Sequence, residues 1–359
     1  MRVRGGPVRD AEPRRGCGSY LLIATLITSA IVAVGWVRRT VVHPVEHPSA
    51  DQIVTIDPGS GTQATIARLS EAGIVRHPLA LRLYMTVTGR TSRLRAGDYK
   101  FSSPISPLQA IDKIRRGDIY YQKVTVPEGF NTFEIADLLA SKTGKATRDE
   151  FLALMVDAAP IQDIDPSATS LEGYLFPDTY NYITRTTAEE LVKMMVRRFE
   201  EVFTQAWVER AAQLNKSVHQ VVTLASIVEK EAKAADDRPL IASALSNRLR
   251  VGMPLAADPT FIYAAELAHD YDGNPNQPRH RRRNSPYNTY LYAGLPPGPI
   301  ASPGRASLEA ALYPAKTDYL YYVLATADGH HKFSRTAAEH QAAVDEYHHL
   351  RQQFHNGGS

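Results

Sequence analysis

The segment LEGYLFPDTY (residues 171–180) places a single glutamate among apolar and aromatic residues. Glu172 is followed by Gly173, which permits a tight backbone, and by Tyr174, and Pro177 fixes the turn beyond them. Apolar surroundings raise the pKa of a carboxyl group because they disfavour its ionised form. A glutamate in this setting can hold a proton near neutral pH, as a general acid must.

Spacing alone leaves two interpretations of this segment open. In the first, Glu172 is a general acid, and the neighbouring aromatic faces stack on the axial C–H edges of sugar rings. In the second, Glu172 is a surface residue in a turn, while Asp178 and Thr179 cap the next element. Short motifs produce many false positives, so spacing by itself favours the second interpretation.

Capping signatures on both sides of this segment predict a mainly helical region with long loops from residue 122 onward. Each signature pairs a Ser, Thr or Asn with a Glu or Gln three residues later. The pairs are Asn131 with Glu134, Thr147 with Glu150, Thr187 with Glu190, Ser217 with Gln220, and Thr336 with Glu339. Dense prolines and glycines between residues 253 and 304 predict a long irregular segment of the kind that often lines sites.

Residues 51–121 predict a separate small α+β module. Its predicted elements are strands at residues 53–56 and 97–101 and helices at residues 64–72, 79–87 and 107–116. The last helix has Ser106 as its N-cap, Pro107 at the first helical position and Gly117 as its stop signal. The predicted fold class of the chain is therefore α+β.

The N-terminal region contains YLLIATLITSAIVAVGWV, Tyr20 to Val37, which has no charged residue and would form a helix of about 27 Å. We expect an uncleaved transmembrane anchor here, a tail at residues 1–19 and an extended linker at residues 38–50. A cleaved signal peptide is the alternative, but the apolar run is long for one and lacks a clear cleavage site. Arginines precede the run at Arg2, Arg4, Arg9, Arg14 and Arg15. This bias predicts a cytoplasmic tail and an extracytoplasmic remainder.

Composition excludes several classes of protein. The 359 residues suggest about two globular units plus extensions, and the 43% hydrophobic and 22% charged residues are ordinary for a folded protein. The net charge of +3 comes from the arginine-rich first 50 residues, so nucleic acid is not expected as a partner. One cysteine leaves no intramolecular disulfide and no CxxC pair. No HExxH motif is present, and we predict neither a cofactor nor a metal.

LEGYLFPDTY resembles the signature of the YceG-like family, the MltG-type endolytic murein transglycosylases. The similarity continues in register over most of residues 50–345. Further blocks that resemble the family are ASIVEKEA (225–232), NRL (247–249), GMPL and DPT (252–260), SPYNTY (285–290), GLPPGPIASPG (294–304) and HKFS (331–334). The resemblance implies that residues 51–121 form a LysM-like module and that residues 122–355 form the catalytic domain.

The activity that the resemblance implies is endolytic cleavage of nascent peptidoglycan strands by an inner-membrane enzyme. Cleavage would fall between N-acetylmuramic acid and N-acetylglucosamine, leave a 1,6-anhydro end and terminate elongation of the strand. The resemblance assigns the catalytic acid and base to Glu172. Cell-wall synthases are expected as partners by family analogy only.

Substrate-binding residues are expected in the other blocks of the family. The candidates are Ser226, Glu229, Asn247, Asp258, Tyr287, Asn288 and His331. Glu229 and Glu231 are two apart on a predicted helix and point to different faces, so at most one can face a cleft, and Glu229 shares its side with Ser226. Exposed helix positions explain Ser226 and Glu229 equally well, and satisfaction of loop backbone groups explains the four candidates from Asn247 to Asn288 equally well. His331 either orients a neighbouring residue or contacts the substrate.

Two other classes of function remain open at this point. One is a non-catalytic scaffold that binds peptidoglycan and recruits synthases, against which the intact acid in its aromatic setting argues. The other is a metal-dependent wall amidase or peptidase, which would lose activity in the presence of a chelator.

Overall fold

The computed structural model describes residues 17–90, 94–326 and 328–356, with only the backbone described at 17–19 and 350–356. The chain divides into two compact units, Met1–Tyr121 and Gln122–Ser359. The predicted tail up to residue 16, with the five arginines that predict its orientation, lies outside the described residues. Each unit is a mixture of helices and small antiparallel sheets, so the predicted α+β class is confirmed.

The first unit is a small two-stranded sheet with helices packed around one core. Its elements are α1 (Cys17–Val42), β1 (Ile53–Ile56), α2 (Thr62–Glu71), α3 (Pro78–Val87), β2 (Gly97–Lys100) and α4 (Pro107–Arg116). β1 and β2 are antiparallel, with Ile53 opposite Lys100. Ser106 and Gln109 form the predicted capping box of α4, and Gly117 adopts the left-handed conformation that ends the helix.

One described helix is long and apolar enough to span a membrane. It covers Tyr20–Val42, with a mean hydropathy of 2.1 over its most apolar window, and the side chains of that window are exposed. Apolar side chains that find no protein partner along such a length fit a lipid environment.

The predicted extended linker at residues 38–50 differs from the structure. α1 continues to Val42 because proline does not interrupt the chain until Pro44. Val41 is 1% exposed within the core of the first unit. Val45 and Ile105 then exchange both backbone hydrogen bonds, at 2.9 and 3.2 Å. This segment is therefore part of the first unit and not a free spacer.

The second unit is mainly helical, with two two-stranded antiparallel sheets. Its helices are α5 (Thr132–Thr143), α6 (Arg148–Val156), α7 (Ala188–Val202), α8 (Gln205–Gln213), α9 (Val218–Glu231), α10 (Arg238–Arg250), α11 (Asp258–Leu267), α12 (Pro278–Arg281), α13 (Arg305–Leu312) and α14 (Ala337–Asn356). Its strands are β3 (Gln122–Thr125), β4 (Thr179–Tyr182), β5 (Tyr321–Leu324) and β6 (His331–Ser334). β3 pairs with β4 and β5 pairs with β6.

Local signals explain where many of these helices begin. The five predicted caps, at Asn131, Thr147, Thr187, Ser217 and Thr336, all form both hydrogen bonds of a capping box. Each box satisfies two backbone N–H groups that a helix start would otherwise leave without partners.

Helix α9 runs through the centre of the second unit. Every residue from Val221 to Val228 is buried, and the helix packs on α10 and α13. The turn that carries Glu172 is anchored to the same core, because Leu171 and Leu175 are fully buried and the Leu171 amide donates to the Met155 carbonyl at 2.8 Å. A rigid hydrophobic core therefore fixes the position of the glutamate.

Candidate active site around Glu172

Glu172 lies in a tight turn that only glycine can complete. Gly173 has φ = +86°, and a Cβ atom there would lie 2.5 Å from Cβ of Pro299 and 3.0 Å from Cγ1 of Val222. Both the backbone conformation and the close approach exclude a larger side chain. The turn is thereby pressed against α9 and against the Gly-Pro-rich loop that contains Pro299.

The carboxylate of Glu172 faces the beginning of α5. Its Oε2 atom accepts hydrogen bonds from the Thr132 backbone N–H at 3.0 Å, the Thr132 hydroxyl at 2.8 Å and the Tyr263 hydroxyl at 3.0 Å. Thr132 is the first residue of α5, where the helix dipole favours negative charge. These donors hold the side chain in one orientation.

Burial dominates the protonation of Glu172. The residue is 4% exposed, and the loss of solvent raises the pKa of its carboxyl group to about 7, although the hydrogen bonds from Thr132, Tyr263 and the Gly173 backbone oppose the rise. The other oxygen, Oε1, is buried and meets no hydrogen-bond partner in the described part of the chain. Three donors crowd Oε2, which leaves Oε1 as the oxygen available to a proton.

The aromatic residues nearest the carboxyl group are not those that the sequence suggests. Tyr174 and Phe176 are buried in the core, where Tyr174 packs edge-on against Phe199 with ring centroids 5.2 Å apart. The prediction that they stack on sugar rings is therefore wrong. Tyr263 and Tyr287 take their place beside Glu172, and the centroids of their two rings are 5.1 Å apart. Burial, and then the charge of Glu172, raises the pKa of Tyr287 to about 12.

Ser226 and Glu229, both predicted to bind substrate, have structural partners instead. The Ser226 hydroxyl is fully buried, donates to the Thr223 carbonyl at 2.8 Å and accepts from the Ile300 amide at 3.1 Å. The Glu229 carboxylate accepts from Arg238 at 3.2 Å and from the Gly304 amide at 2.9 Å. These bonds fix the Gly-Pro-rich loop to α9, and a ligand cannot reach Ser226 in this structure.

Glu231, which lies on a different face of α9 from Glu229, belongs to a second acidic group. Burial, and then the charge of Asp258, raises the pKa of the Glu231 carboxyl to about 7, while a hydrogen bond from Tyr322 and the charge of Arg248 oppose the rise. Asp258, a predicted substrate-binding residue, is exposed at the start of α11 and accepts a hydrogen bond from the Tyr290 hydroxyl at 2.5 Å. This cluster is open to a ligand at Asp258.

The remaining candidates stabilise loops. Asn247 donates to the carbonyls of Thr317 and Tyr319 at 2.8 and 3.0 Å. Asn288 is fully buried and donates to the carbonyls of Arg281 and Arg283, both at 2.9 Å.

His331 is held in the same way by a buried acid. Its Nδ1 lies 2.8 Å from Asp237 Oδ2, and its ring packs edge-on against Tyr322. Satisfaction of loop backbone groups thus accounts for Asn247 and Asn288. The contact of His331 with Asp237 corresponds to the orientation of a neighbouring residue.

The structure therefore brings Tyr287 to Glu172, places Asp258 with Glu231, and adds Thr132 and Tyr263, which sequence reasoning missed. The capping signature at Asn131 predicts the start of α5, but it does not reveal which residues the helix start faces. Among the described residues, no group of three or more His, Cys, Asp or Glu side chains could hold a metal ion.

Comparison with known proteins gives one consistent result. Residues 54–346 match the model of the YceG-like family. A Bacillus subtilis protein named endolytic murein transglycosylase is 33% identical over 334 residues, which cover 86% of this chain and 88% of that protein. A Streptococcus pneumoniae protein of the same name is 29% identical over 82% of this chain and 58% of its own length.

A solved structure agrees with the sequence comparisons. The crystal structure of a YceG-like protein from Listeria monocytogenes aligns with a TM-score of 0.56 at 31% identity and covers 81% of this chain and 97% of that one. The resemblance found in the sequence blocks is confirmed. The chain belongs to the YceG-like family.

Proposed function

We propose that this chain is a membrane-anchored endolytic lytic transglycosylase of peptidoglycan in which Glu172 is the catalytic acid and base. Its enzyme class, a lyase that acts on peptidoglycan, follows from family membership and from the murein transglycosylases to which it is similar. The finer statements, on the bond cleaved, the catalytic residue and the anchor, are our proposal.

The observation that carries the proposal is the state of Glu172. A buried carboxyl group with a pKa of about 7, held through Oε2 and with Oε1 free of protein partners, is equipped to donate a proton at neutral pH and to take one back. Because Oε1 is enclosed, the side chains that surround it have to move aside when a glycan oxygen approaches. Tyr287 belongs to the irregular segment between α11 and α13, which is suited to such a movement.

The reaction needs one carboxyl group and no water. Glu172 protonates the glycosidic oxygen between N-acetylmuramic acid and N-acetylglucosamine, and the bond from C1 to that oxygen breaks. The 2-acetamido group stabilises the cation that forms at C1. The Glu172 carboxylate then accepts the proton of the C6 hydroxyl as its oxygen closes onto C1, which produces the 1,6-anhydro end and restores the acid.

Thr132 and Tyr263 act on the carboxylate stage of this cycle. They donate to Oε2 and so stabilise the negative charge that appears when Glu172 releases its proton. Asp258 extends the proposed contacts to a second part of the glycan or to its peptide stem.

The proposed location follows from α1. The part of α1 from Tyr20 to Val37 would span the cell membrane once, with the arginine-rich tail in the cytoplasm and the rest of the chain on the outer side, where nascent glycan strands are made. Glycan strands are the proposed substrate, and synthases of the wall are the proposed protein partners.

The test is digestion of purified peptidoglycan by the full chain in detergent, with the products identified by mass spectrometry. We expect fragments with anhydro ends from the wild type, also in the presence of a chelator, and none from Glu172→Gln. Glu189→Gln serves as a matched control because Glu189 is an exposed residue of α7 paired with Lys193. Reducing ends would indicate a hydrolase, activity lost in chelator would indicate a metal-dependent enzyme, and full activity of Glu172→Gln would overturn the assignment.

A further inference from the structure

Helix α3 exposes an apolar stripe to its surroundings. Leu79, Leu83 and Val87 follow one another at intervals of four residues and are 80%, 56% and 78% exposed. The opposite face of the helix is buried, because Leu81 and Met85 are fully enclosed in the core of the first unit. A ten-residue helix that is apolar on both faces is typical of an interaction surface on its outer side.

The stripe continues the lipid-facing surface of α1. Val34 and Val37 of α1 and Leu83 and Val87 of α3 line one shared apolar groove of about 280 Å³. The two helices pack directly on each other in the first unit. Whatever solvates the end of α1 therefore also contacts the outer face of α3.

The depth of this contact follows from the length of α1. A bilayer core needs about 20 helical residues, so a span that begins at Tyr20 ends near Arg39, and Val34 and Val37 lie in its last turns. Trp36 is a residue type that prefers the membrane interface, and its ring lies 5.2 Å from that of His77, which precedes α3. The start of α3 is thus at the level of the interface.

Basic side chains frame the stripe. Arg38 lines the groove shared by α1 and α3, and Arg82 lies on the other flank of the stripe, in a groove that includes Leu79. Glu71 also lines that second groove, where Arg68 pairs with its carboxylate at 3.0 Å. Arginine can lay its apolar stem along hydrocarbon while its guanidinium group reaches lipid phosphates. The charges therefore match a lipid surface better than they match a second apolar protein face.

We propose that α3 is an interfacial helix whose Leu79, Leu83 and Val87 insert into the membrane leaflet that receives the C-terminal end of α1. The bilayer then holds the first unit at two places, the spanning helix and α3, and so restricts rotation of that unit about α1. The inference rests on the proposed anchoring by α1, and its test reports on α1 and α3 separately.

The test uses the full chain, since Val41 of α1 belongs to the core of the first unit. Cys17, the single cysteine, is replaced by serine, and one cysteine is introduced in each variant. Leu83→Cys and Val87→Cys probe the stripe, Ala64→Cys on an exposed position of α2 is the control, and Leu26→Cys probes α1. Exposed positions tolerate these changes without disturbing the core.

Each variant carries an environment-sensitive fluorophore and is reconstituted into vesicles of phosphatidylcholine and phosphatidylglycerol. Some of the vesicles contain lipids with a nitroxide at a shallow or a deep position of the acyl chain. We expect the labels at residues 83 and 87 to emit at shorter wavelength and to lose most of their emission to the shallow nitroxide. The label at residue 26 should be quenched by the deep nitroxide, and the label at residue 64 by neither.

Three outcomes would overturn the inference. If labels 83 and 87 are quenched no more than label 64 while label 26 is quenched, α1 spans the bilayer but α3 lies in water. If labels 83 and 87 shift to shorter wavelength without quenching, protein covers α3, for example a second copy of the chain. If label 26 is also unquenched, the anchoring in the proposed function fails together with the inference.

Discussion

Two buried carboxylates, Asp165 and Glu172, lie seven residues apart in the second unit and behave in opposite ways. Burial by itself favours a higher pKa for both carboxyl groups. For Asp165, hydrogen bonds from His219, Tyr174 and the Ser167 backbone overcome burial, and the pKa falls below its ordinary value. For Glu172, burial prevails and the pKa rises to about 7.

The charge of the hydrogen-bond donors explains the difference. His219 has Nδ1 at 3.0 Å from Asp165 and Nε2 at 2.8 Å from the Pro297 carbonyl, so both ring nitrogens face acceptors, an arrangement that favours the protonated imidazole. The hydrogen bond to Asp165 accordingly raises the pKa of His219. Glu172 receives only neutral donors. A buried acid becomes a proton donor when its partners orient it without neutralising its charge.

The largest expected effect is on catalysis. Glu172→Gln keeps the shape of the side chain but removes the transferable proton, so we expect kcat to fall by a factor of about 10² to 10⁴ or more. Asp165→Asn should retain kcat per folded molecule within a few-fold, because the Asp165 carboxylate bonds Tyr174 and His219 in the core and not Glu172. The rate of release of anhydro ends measures both. Equal losses of kcat in the two variants would show that the two acids do not differ in their contribution to catalysis.

The next effect is on the pH dependence of stability. The folded state keeps Glu172 protonated up to about pH 7, whereas an ordinary glutamate ionises near 4.5, so the group stabilises the fold less as pH rises between these values. Relative to Glu172→Gln, the free energy of unfolding of the wild type should fall by about 3 kcal/mol from pH 4.5 to pH 8.

Urea unfolding at several pH values measures this difference. Trp207 of the second unit provides the fluorescence signal in a background in which Trp36, the other tryptophan, is replaced by phenylalanine. Parallel pH profiles for the wild type and Glu172→Gln would show that the pKa of Glu172 is ordinary.

Asp165→Asn should lower the free energy of unfolding, with a pH profile that differs from that of Glu172→Gln. Loss of the charged hydrogen bond to His219 costs about 2 kcal/mol. The lowered pKa of Asp165 contributes stability above 3.8 that is lost as pH falls through its folded value. The raised pKa of His219 contributes stability below 6.5 that is lost as pH rises through its folded value. The deficit of the variant in urea unfolding should therefore be greatest between pH 3.8 and 6.5, and a deficit constant from pH 3 to 9 would contradict the ion pair.

The smallest effects are those of the two tyrosines beside Glu172, Tyr263 and Tyr287, beginning with Tyr263→Phe. Its hydroxyl lowers the pKa of Glu172, so removal should raise that pKa by up to about one unit and move the alkaline limb of kcat/KM to higher pH. Tyr287→Phe removes a hydroxyl from the same aromatic pair and should move the limb less. A shift of the limb to lower pH in Tyr263→Phe would refute the hydrogen-bond assignment.

The sequence predicts best those features that depend on neighbouring residues. All five capping boxes of the second unit and the apolar helix at the N-terminus arise from side chains a few residues apart, and each is present. The same reasoning shows that Glu229 and Glu231 point to different faces of α9. It cannot tell which face meets Arg238 and which meets Asp258, because those partners come from other elements.

Reasoning from neighbouring residues cannot predict the surroundings of Glu172. Thr132 and Tyr263 are 40 and 91 residues away in the chain, and only the packing of α5 and α11 brings them to one carboxylate. The aromatic residues of LEGYLFPDTY are a misleading signal for the same reason, since Tyr174 and Phe176 serve the core. The family resemblance, and not the spacing, is the reason for proposing Glu172 as the catalytic residue.

The central claim is that Glu172 is protonated near neutral pH, and infrared difference spectroscopy tests it most directly. The spectrum of the wild type minus that of Glu172→Gln isolates the carbonyl band of one neutral carboxyl group, which is followed as pH rises. The account predicts that this band disappears with a midpoint near pH 7. A midpoint near 4.5 would show that Glu172 is ionised under working conditions and would contradict the account.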